Sequence, residues 1–214
     1  MRKEFFSSIV AVMLIGMAAT TATAQEFRIG AVAGMNVSSP TNASTRLGYH
    51  VGVRSEWNFR DTDQKGAFLS LSALLTEKGY KSDTFYDATG RSMTWRVRPT
   101  YLELPLHVGY RLPVGQRVTL SGSVGPYLGI GLFGKSRLTT ELNGTTTTTT
   151  AATNVFDAMR RVDCGVGLRL GAELYRRYQI SVGYDWGLRN TRSLPDGASR
   201  ERNRNLTVSL GYMF

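Results

Sequence analysis

The sequence predicts an all-β protein, an eight-stranded antiparallel up-and-down transmembrane β-barrel. Three observations point there. Eight stretches alternate with period two, their polar faces carry glycine, serine and charge, and the links between them are short and long by turns.

In a strand, successive side chains face opposite sides of the sheet. Residues 27–37 put Phe27, Ile29, Ala31, Ala33, Met35 and Val37 on one face, with Arg28, Gly30, Val32, Gly34 and Asn36 on the other. Residues 46–59 set Leu47, Tyr49, Val51, Val53, Trp57 and Phe59 against Arg46, His50, Arg54 and Glu56. In 67–78, Leu69, Leu71, Ala73 and Leu75 alternate with Ser70, Ser72, Thr76 and Lys78. In 100–110, Leu102, Leu104, Leu106 and Val108 oppose Tyr101, Glu103 and His107. Residues 118–132 set Leu120, Val124, Leu128 and Ile130 against Thr119, Ser121 and Ser123. Residues 161–175 set Val162, Cys164, Val166, Leu168 and Leu170 against Asp163, Arg169 and Glu173. Residues 178–189 set Ile180, Val182, Tyr184 and Trp186 against Gln179, Asp185 and Arg189. Residues 205–214 set Leu206, Val208, Leu210, Tyr212 and Phe214 against Asn205, Thr207 and Ser209.

These stretches reach the roughly 9–11 residues a tilted strand needs to cross a bilayer, whereas strands of soluble sandwiches run to about 5–6. The polar faces suit a narrow lumen filled by side chains. The apolar faces suit lipid, and their terminal aromatics suit the two interfaces. Short links are expected at Arg60–Gly66, Arg111–Arg117 and Arg176-Arg177, and longer loops at Ser38–Thr45, Gly79–Arg98, Phe133–Arg160 and Asn190–Arg204. Short periplasmic turns and long external loops are the rule in such barrels.

The first residues read as a secretory signal. Arg2 and Lys3 precede an apolar run from Ile9 to Ala19, then Ala22-Thr23-Ala24. Cleavage is expected after Ala24, which divides the chain into a signal peptide, 1–24, and one barrel domain, 25–214. The signal carries Arg2, Lys3 and Glu4, so the net charge of +10 becomes +10 − 1 = +9. Cys164 is the one cysteine, which excludes an intrachain disulfide. Export argues against a nucleic-acid partner despite the basic balance. The expected surroundings are outer-membrane lipid, lipopolysaccharide and the outer-membrane assembly machinery; the sequence sets no oligomeric state.

Candidate chemistry is sparse. Gly129-Ile-Gly131-Leu-Phe-Gly134 matches a dinucleotide fingerprint in letters, but no strand-to-helix turn is expected there. Those glycines are expected to accommodate bulk in a crowded lumen. His50 and His107 read as hydrogen-bonded interior histidines. No cofactor, metal or catalytic set is expected. Arg28, Arg46, Arg54, Glu56, Glu103, Asp163, Arg169, Glu173, Asp185 and Arg189 are expected to form a lumen charge network. Because unpaired interior charge is costly, a salt-bridged plug is preferred to a conducting path. Thr145–Thr150 reads as a flexible loop tip. Arg192, Arg200, Arg202 and Arg204 either contact glycolipid phosphates or lie in a solvated loop. Phe214 is expected to act as an assembly signal at the end of the last strand.

Several pieces carry a family resemblance: Gly30-Ala31-Val32-Ala33-Gly34-Met35-Asn36, Tyr101-Leu102-Glu103-Leu104-Pro105-Leu106, Gly125-Pro126-Tyr127-Leu128-Gly129, Arg161-Val162-Asp163-Cys164-Gly165-Val166-Gly167 and Leu210-Gly211-Tyr212-Met213-Phe214. Together they make the chain similar to the PorT-like outer-membrane β-barrel family of Bacteroidetes. The resemblance implies an eight-stranded barrel and no catalytic residues. The functional expectation is a structural or surface-interaction barrel. Alternatives are a narrow channel for small solutes and, further off, a lipid- or peptide-modifying enzyme at the rim. A soluble ligand-binding barrel would need an apolar interior, contrary to the alternation.

Overall fold

The computed structural model describes residues 27–39, 45–59, 65–81, 84–87, 89–142, 145–150, 154–157, 159–189 and 203–214. The expected signal peptide, 1–24, lies outside them. The strands are β1 (Phe27–Ser38), β2 (Arg46–Asn58), β3 (Gly66–Glu77), β4 (Tyr80–Lys81), β5 (Phe85–Tyr86), β6 (Ser92–Pro113), β7 (Val118–Leu142), β8 (Thr145–Thr150), β9 (Val162–Leu174), β10 (Tyr178–Gly187) and β11 (Arg204–Met213). A 3-10 turn, Val155–Asp157, precedes β9.

Eight of these strands close a ring, β1-β2-β3-β6-β7-β9-β10-β11 and back to β1, with every neighbour antiparallel. Closure runs from Gly30↔Met213 to Ser38↔Asn205. The Phe214 N–H extends it by donating to the Ile29 carbonyl at 2.9 Å. Closing the ring leaves no stave with an unpaired edge, as a hydrocarbon environment demands. No helix among the described residues is long and apolar enough to cross a membrane, which is silent about strands.

The alternation becomes sidedness. Leu170 and Leu210 point out and are 62% and 63% exposed, while Asp163 points in and is 0% exposed. The ring is therefore apolar outside and polar inside. Outward aromatics pair near both ends: Phe27 with Trp57 at 5.2 Å, Tyr178 with Tyr212 at 5.4 Å, and Tyr184 with Trp186 at 4.6 Å between ring centroids. At the short-turn end, Tyr175 and Arg176 take φ of 54° and 61°, and the Arg177 N–H donates to the Leu174 carbonyl. Positive φ at both central residues matches the twist of a tight hairpin.

Three expectations need correction. The fourth and fifth staves do not stop at residues 100 and 132; β6 and β7 stay paired from Pro113↔Thr119 out to Ser92↔Glu141. A register shift at Thr100/Tyr101 marks where the barrel wall becomes a projecting hairpin. Beyond Phe133 the outward residues are Lys135, Arg137 and Thr139, so the apolar signal is lost although the backbone pairing is not. Thr145–Thr150 is not a loop tip. It forms β8, antiparallel to Arg137–Leu142, as a run of β-branched residues favours. The interior also holds more apolar bulk than glycine, serine and paired charge: besides Val32 and Tyr101, which the alternation already placed on lumen faces, Phe68, Leu74, Tyr127 and Met213 are buried.

Candidate functional site

The sheet register stacks the interior charges in levels. Nearest the short turns, Arg28 of β1 stands directly across from Glu56 of β2, and Glu173 of β9 across from Gln179 of β10. Arg28 reaches across the lumen to Glu173 with two bonds, Nη2–Oε2 at 2.6 Å and Nη1–Oε1 at 2.9 Å, and lies 3.8 Å from Glu56. Arg111 of β6 pairs with Glu56, donates to Asn58 Oδ1 and lies 4.4 Å over the Phe68 ring. Gln179 Nε2 donates to Glu173 at 2.8 Å and its Oε1 accepts from Arg54 at 3.1 Å. All these side chains are buried or half-buried, and two-pronged guanidinium–carboxylate bonds are the strong kind.

Toward the long-loop end, Lys78 follows β3 and turns inward. Its Nζ lies 3.1 Å from Glu103 Oε2 and 3.2 Å from Asp163 Oδ2, and 4.7 Å from the Tyr127 ring centre. Asn203 donates to the same Asp163 oxygen at 2.8 Å. Lys78, Glu103 and Asp163 are each at most 2% exposed.

Between the levels the polar groups are less well matched. His50 Nε2 lies 2.9 Å from Ser209 Oγ. Among the described residues, both Asp185 oxygens, both His107 nitrogens and Arg169 Nε have no hydrogen-bond partner. Small cavities of about water size adjoin Arg169 and Asp185. One is lined by His50, Glu103, Arg169, Asp185 and Ser209, the other by Arg54, Glu56, Ser123, Arg169 and Gln179. A Cβ on Gly34 would lie 2.7 Å from the His50 ring, and one on Gly167 would lie 3.1 Å from His107 Nε2. Glycine thus makes room for both imidazoles. No group of three metal-ligating side chains exists among the described residues.

Above Lys78 the lumen is capped. The 3-10 turn folds Val155 and Phe156 inward, where they pack with Val97, Tyr101 and Met159. Phe156 meets Tyr101 edge to face at 5.3 Å, and its N–H donates to Asn154 Oδ1 at 3.2 Å. A side chain on Gly131 would collide with the Phe156 ring, and one on Gly134 with Val155. Two of the three fingerprint-like glycines, Gly131 and Gly134, therefore provide space for this cap.

Of the residues expected in the lumen, Arg28, Arg54, Glu56, Glu103, Asp163, Arg169, Glu173 and Asp185 lie buried inside the barrel. Arg46 sits at the rim, half-buried, 3.5 Å from Glu77. Arg189 is outside the network: β10 ends at Gly187, so the alternation no longer directs it, and it is exposed. Lys78 and Gln179 were expected on lumen faces but not in the charge network, and Arg111 and the Val155/Phe156 cap were not foreseen inside at all. Arg111 lies at the limit of its alternating stretch, where a polar residue reads equally as part of a turn. Arg204 is exposed on the outward face opposite Trp186, and Arg192, Arg200 and Arg202 lie outside the described residues. Phe214 is exposed, 5.5 Å from the Tyr212 ring.

A closed antiparallel ring with a lipid-compatible exterior and a buried ionic interior defines a transmembrane β-barrel. The chain belongs to the outer membrane protein beta-barrel domain family, whose model matches residues 21–193. Among solved structures it is similar to Ail, the attachment invasion locus protein of Yersinia pestis, in complex with the heparin analogue sucrose octasulfate. That match has 12% identity, covers 88% of this chain and 99% of that one, and has a TM-score of 0.39. It is similar to Neisserial surface protein A at 13% identity, covering 90% and 100%, with a TM-score of 0.45. The outer membrane protein OprG from Pseudomonas aeruginosa matches at 10% identity, covering 90% and 96%, with a TM-score of 0.40. No curated protein matches the chain.

Proposed function

We propose that the chain is a closed, non-conducting and non-enzymatic outer-membrane barrel, working as a structural or surface-interaction protein through its projecting outer hairpin. The observation that carries this reading is the double closure of the lumen. Arg28, Glu56, Arg111 and Glu173 bridge it at one level, and Lys78, Glu103 and Asp163 at another beneath the Phe156 cap. An eight-stranded barrel has room only for such side chains. Removal of residues 1–24 as a signal peptide and the finer PorT-like kinship belong to the same proposal, on the sequence pieces quoted above. So does contact of the Arg192, Arg200, Arg202 and Arg204 loop with lipopolysaccharide phosphates, supported by the exposure of Arg204.

The second reading, a narrow channel, rests on the unmatched polar atoms of Asp185, His107 and Arg169 and on the small cavity lined by Asp185 and Arg169. Single-channel recording in planar bilayers separates the two. The closed barrel gives no steady conductance, and Phe156→Ala alone leaves it closed because the Lys78 level remains. Steady ion conductance by the unaltered protein overturns the closed reading in favour of the channel.

A further inference from the structure

On the outer hairpin, like charges face each other across the ladder. Arg96 of β6 is the direct partner of Arg137 of β7, and Arg98 the direct partner of Lys135. Residues two apart on a strand share a face, and antiparallel partners share it too. All four cations therefore stand on one face, and all four are exposed. They occupy a patch about 7 Å along the strands and about 5 Å across them. Lys81 of β4 occupies the register position on the other side of Arg96. None of the four is in an ion pair among the described residues, and the nearby Glu77 is engaged by Arg46. Like charges placed directly opposite destabilise a sheet. Two such pairs in succession call for an anion.

The patch continues the lipid-facing surface. Down the outward side of β6 from Arg98 come Thr100, Leu102, Leu104, Leu106 and Val108; down β7 from Lys135 come Phe133, Ile130 and Leu128. Phe133, 59% exposed, stands between cations and aliphatics, where interfacial aromatics belong. From Arg98 to Leu102 is four residues, or about 13 Å along a tilted strand and less along the membrane normal. Such a surface fits an amphiphile with phosphate at the upper end and acyl chains at the lower. A soluble polyanion would make no use of the apolar part.

We propose that Arg96, Arg98, Lys135 and Arg137 form a binding site for the phosphorylated headgroup of an outer-leaflet lipid, whose acyl chains lie over Leu102, Leu104 and Leu128. Guanidinium groups suit phosphate because they present paired N–H donors. The site rests on the outer-end orientation of the hairpin but is independent of whether the lumen conducts. It is separate from Arg204, which lies on β11.

The test is native mass spectrometry of the folded chain in neutral detergent, titrated with bisphosphorylated lipid A. Conductance plays no part in the readout, so failure here is distinct from failure of the closed-barrel reading. The unaltered protein retains lipid A; the variant R96Q/R98Q/K135Q/R137Q loses at least tenfold in apparent affinity while keeping its heat-modifiable folded band. The paired variants R96Q/R137Q and R98Q/K135Q each lose part of it, and carry the test if the fourfold variant does not fold. Lipid A stripped of both phosphates binds the unaltered protein no better than it binds the fourfold variant. Undiminished binding by the neutralised variants overturns the site, as does equal binding of the dephosphorylated lipid. So does a loss produced by R204Q alone, or a heparin fragment that binds the four cations more tightly than lipid A does.

Discussion

Removing Lys78 should strand two buried carboxylates at once. Lys78 is 2% exposed, with Glu103 and Asp163 carboxylates at 3.1 and 3.2 Å and the Tyr127 ring beneath its ammonium. Replacing it by methionine keeps most of the stem's packing and removes the only cation bonded to these two carboxylates among the described residues. Breaking a buried ion pair by deleting one partner costs about 3–5 kcal/mol, because the remaining charge stays desolvated. Here two carboxylates lose their cation, and Asn203 and Tyr127 still serve only Asp163. Lys78→Met should therefore cost about 4 kcal/mol, the middle of that range. Lys78→Met with Glu103→Gln should recover part of it by removing one of the stranded charges. The assay is urea unfolding in phospholipid vesicles, followed by the fluorescence of Trp57, Trp95 and Trp186. A cost below about 1 kcal/mol, the level of an exposed pair, would show that Lys78 is not a buried ionic tie. A double variant no more stable than Lys78→Met would show that Glu103 is not its partner.

Two other substitutions test the membrane assignment. Leu104 points outward on β6, opposite Leu128 of β7 and between Leu102 and Leu106, so Leu104→Arg should cost about 2–4 kcal/mol near mid-bilayer in the same vesicles. A neutral result would mean that this face does not meet lipid. Deleting Phe214, which seals the last strand to β1 through its N–H to Ile29 and lies beside Tyr212, should lower the amount of folded barrel in the outer-membrane fraction. Cell fractionation with heat-modifiability reads this directly, and unchanged folded protein would remove Phe214 from any signalling role.

The ring was legible because each stave repeats one simple physical demand. Lipid outside and side chains inside force a period of two, and eight such stretches with alternating link lengths leave little choice of topology. Arg28, Glu56, Glu173 and Asp185 could be placed inside by parity alone. Their partners could not. Arg28 and Glu173 are 145 residues apart, and their bond crosses the lumen between strands that are not neighbours. No local pattern encodes a chord of the barrel. The cap was hidden for another reason: Val155 and Phe156 lie in an irregular segment whose only sequence trace is the absence of side chains at Gly131 and Gly134. Read as cavities to be filled, those glycines would have pointed to an inward-folded apolar segment. The hairpin extension escaped because its outward residues change from apolar to basic beyond Phe133, which removes the hydrophobic alternation but keeps the strand.

The buried charges also bear on how one register is chosen. Slipping a stave by one residue exchanges its two faces. In a barrel with an apolar lumen that exchange would bring little penalty, since either face could meet lipid. Here it would turn Arg28 or Glu173 into hydrocarbon and break a two-pronged bond across the lumen. A slip by two residues preserves the faces, yet it moves Arg28 away from Glu56 along the β1–β2 ladder and Glu173 away from Gln179 along β9–β10. Lys78 is more restrictive still, because it must meet Glu103 from β6 and Asp163 from β9 at the same height. The ionic levels need not add net stability, since well-packed apolar groups often serve as well. Their value lies in the difference between registers. Each alternative pairing leaves desolvated charges unmatched, so the interior specifies the alignment of staves that the lipid-facing surface leaves undetermined.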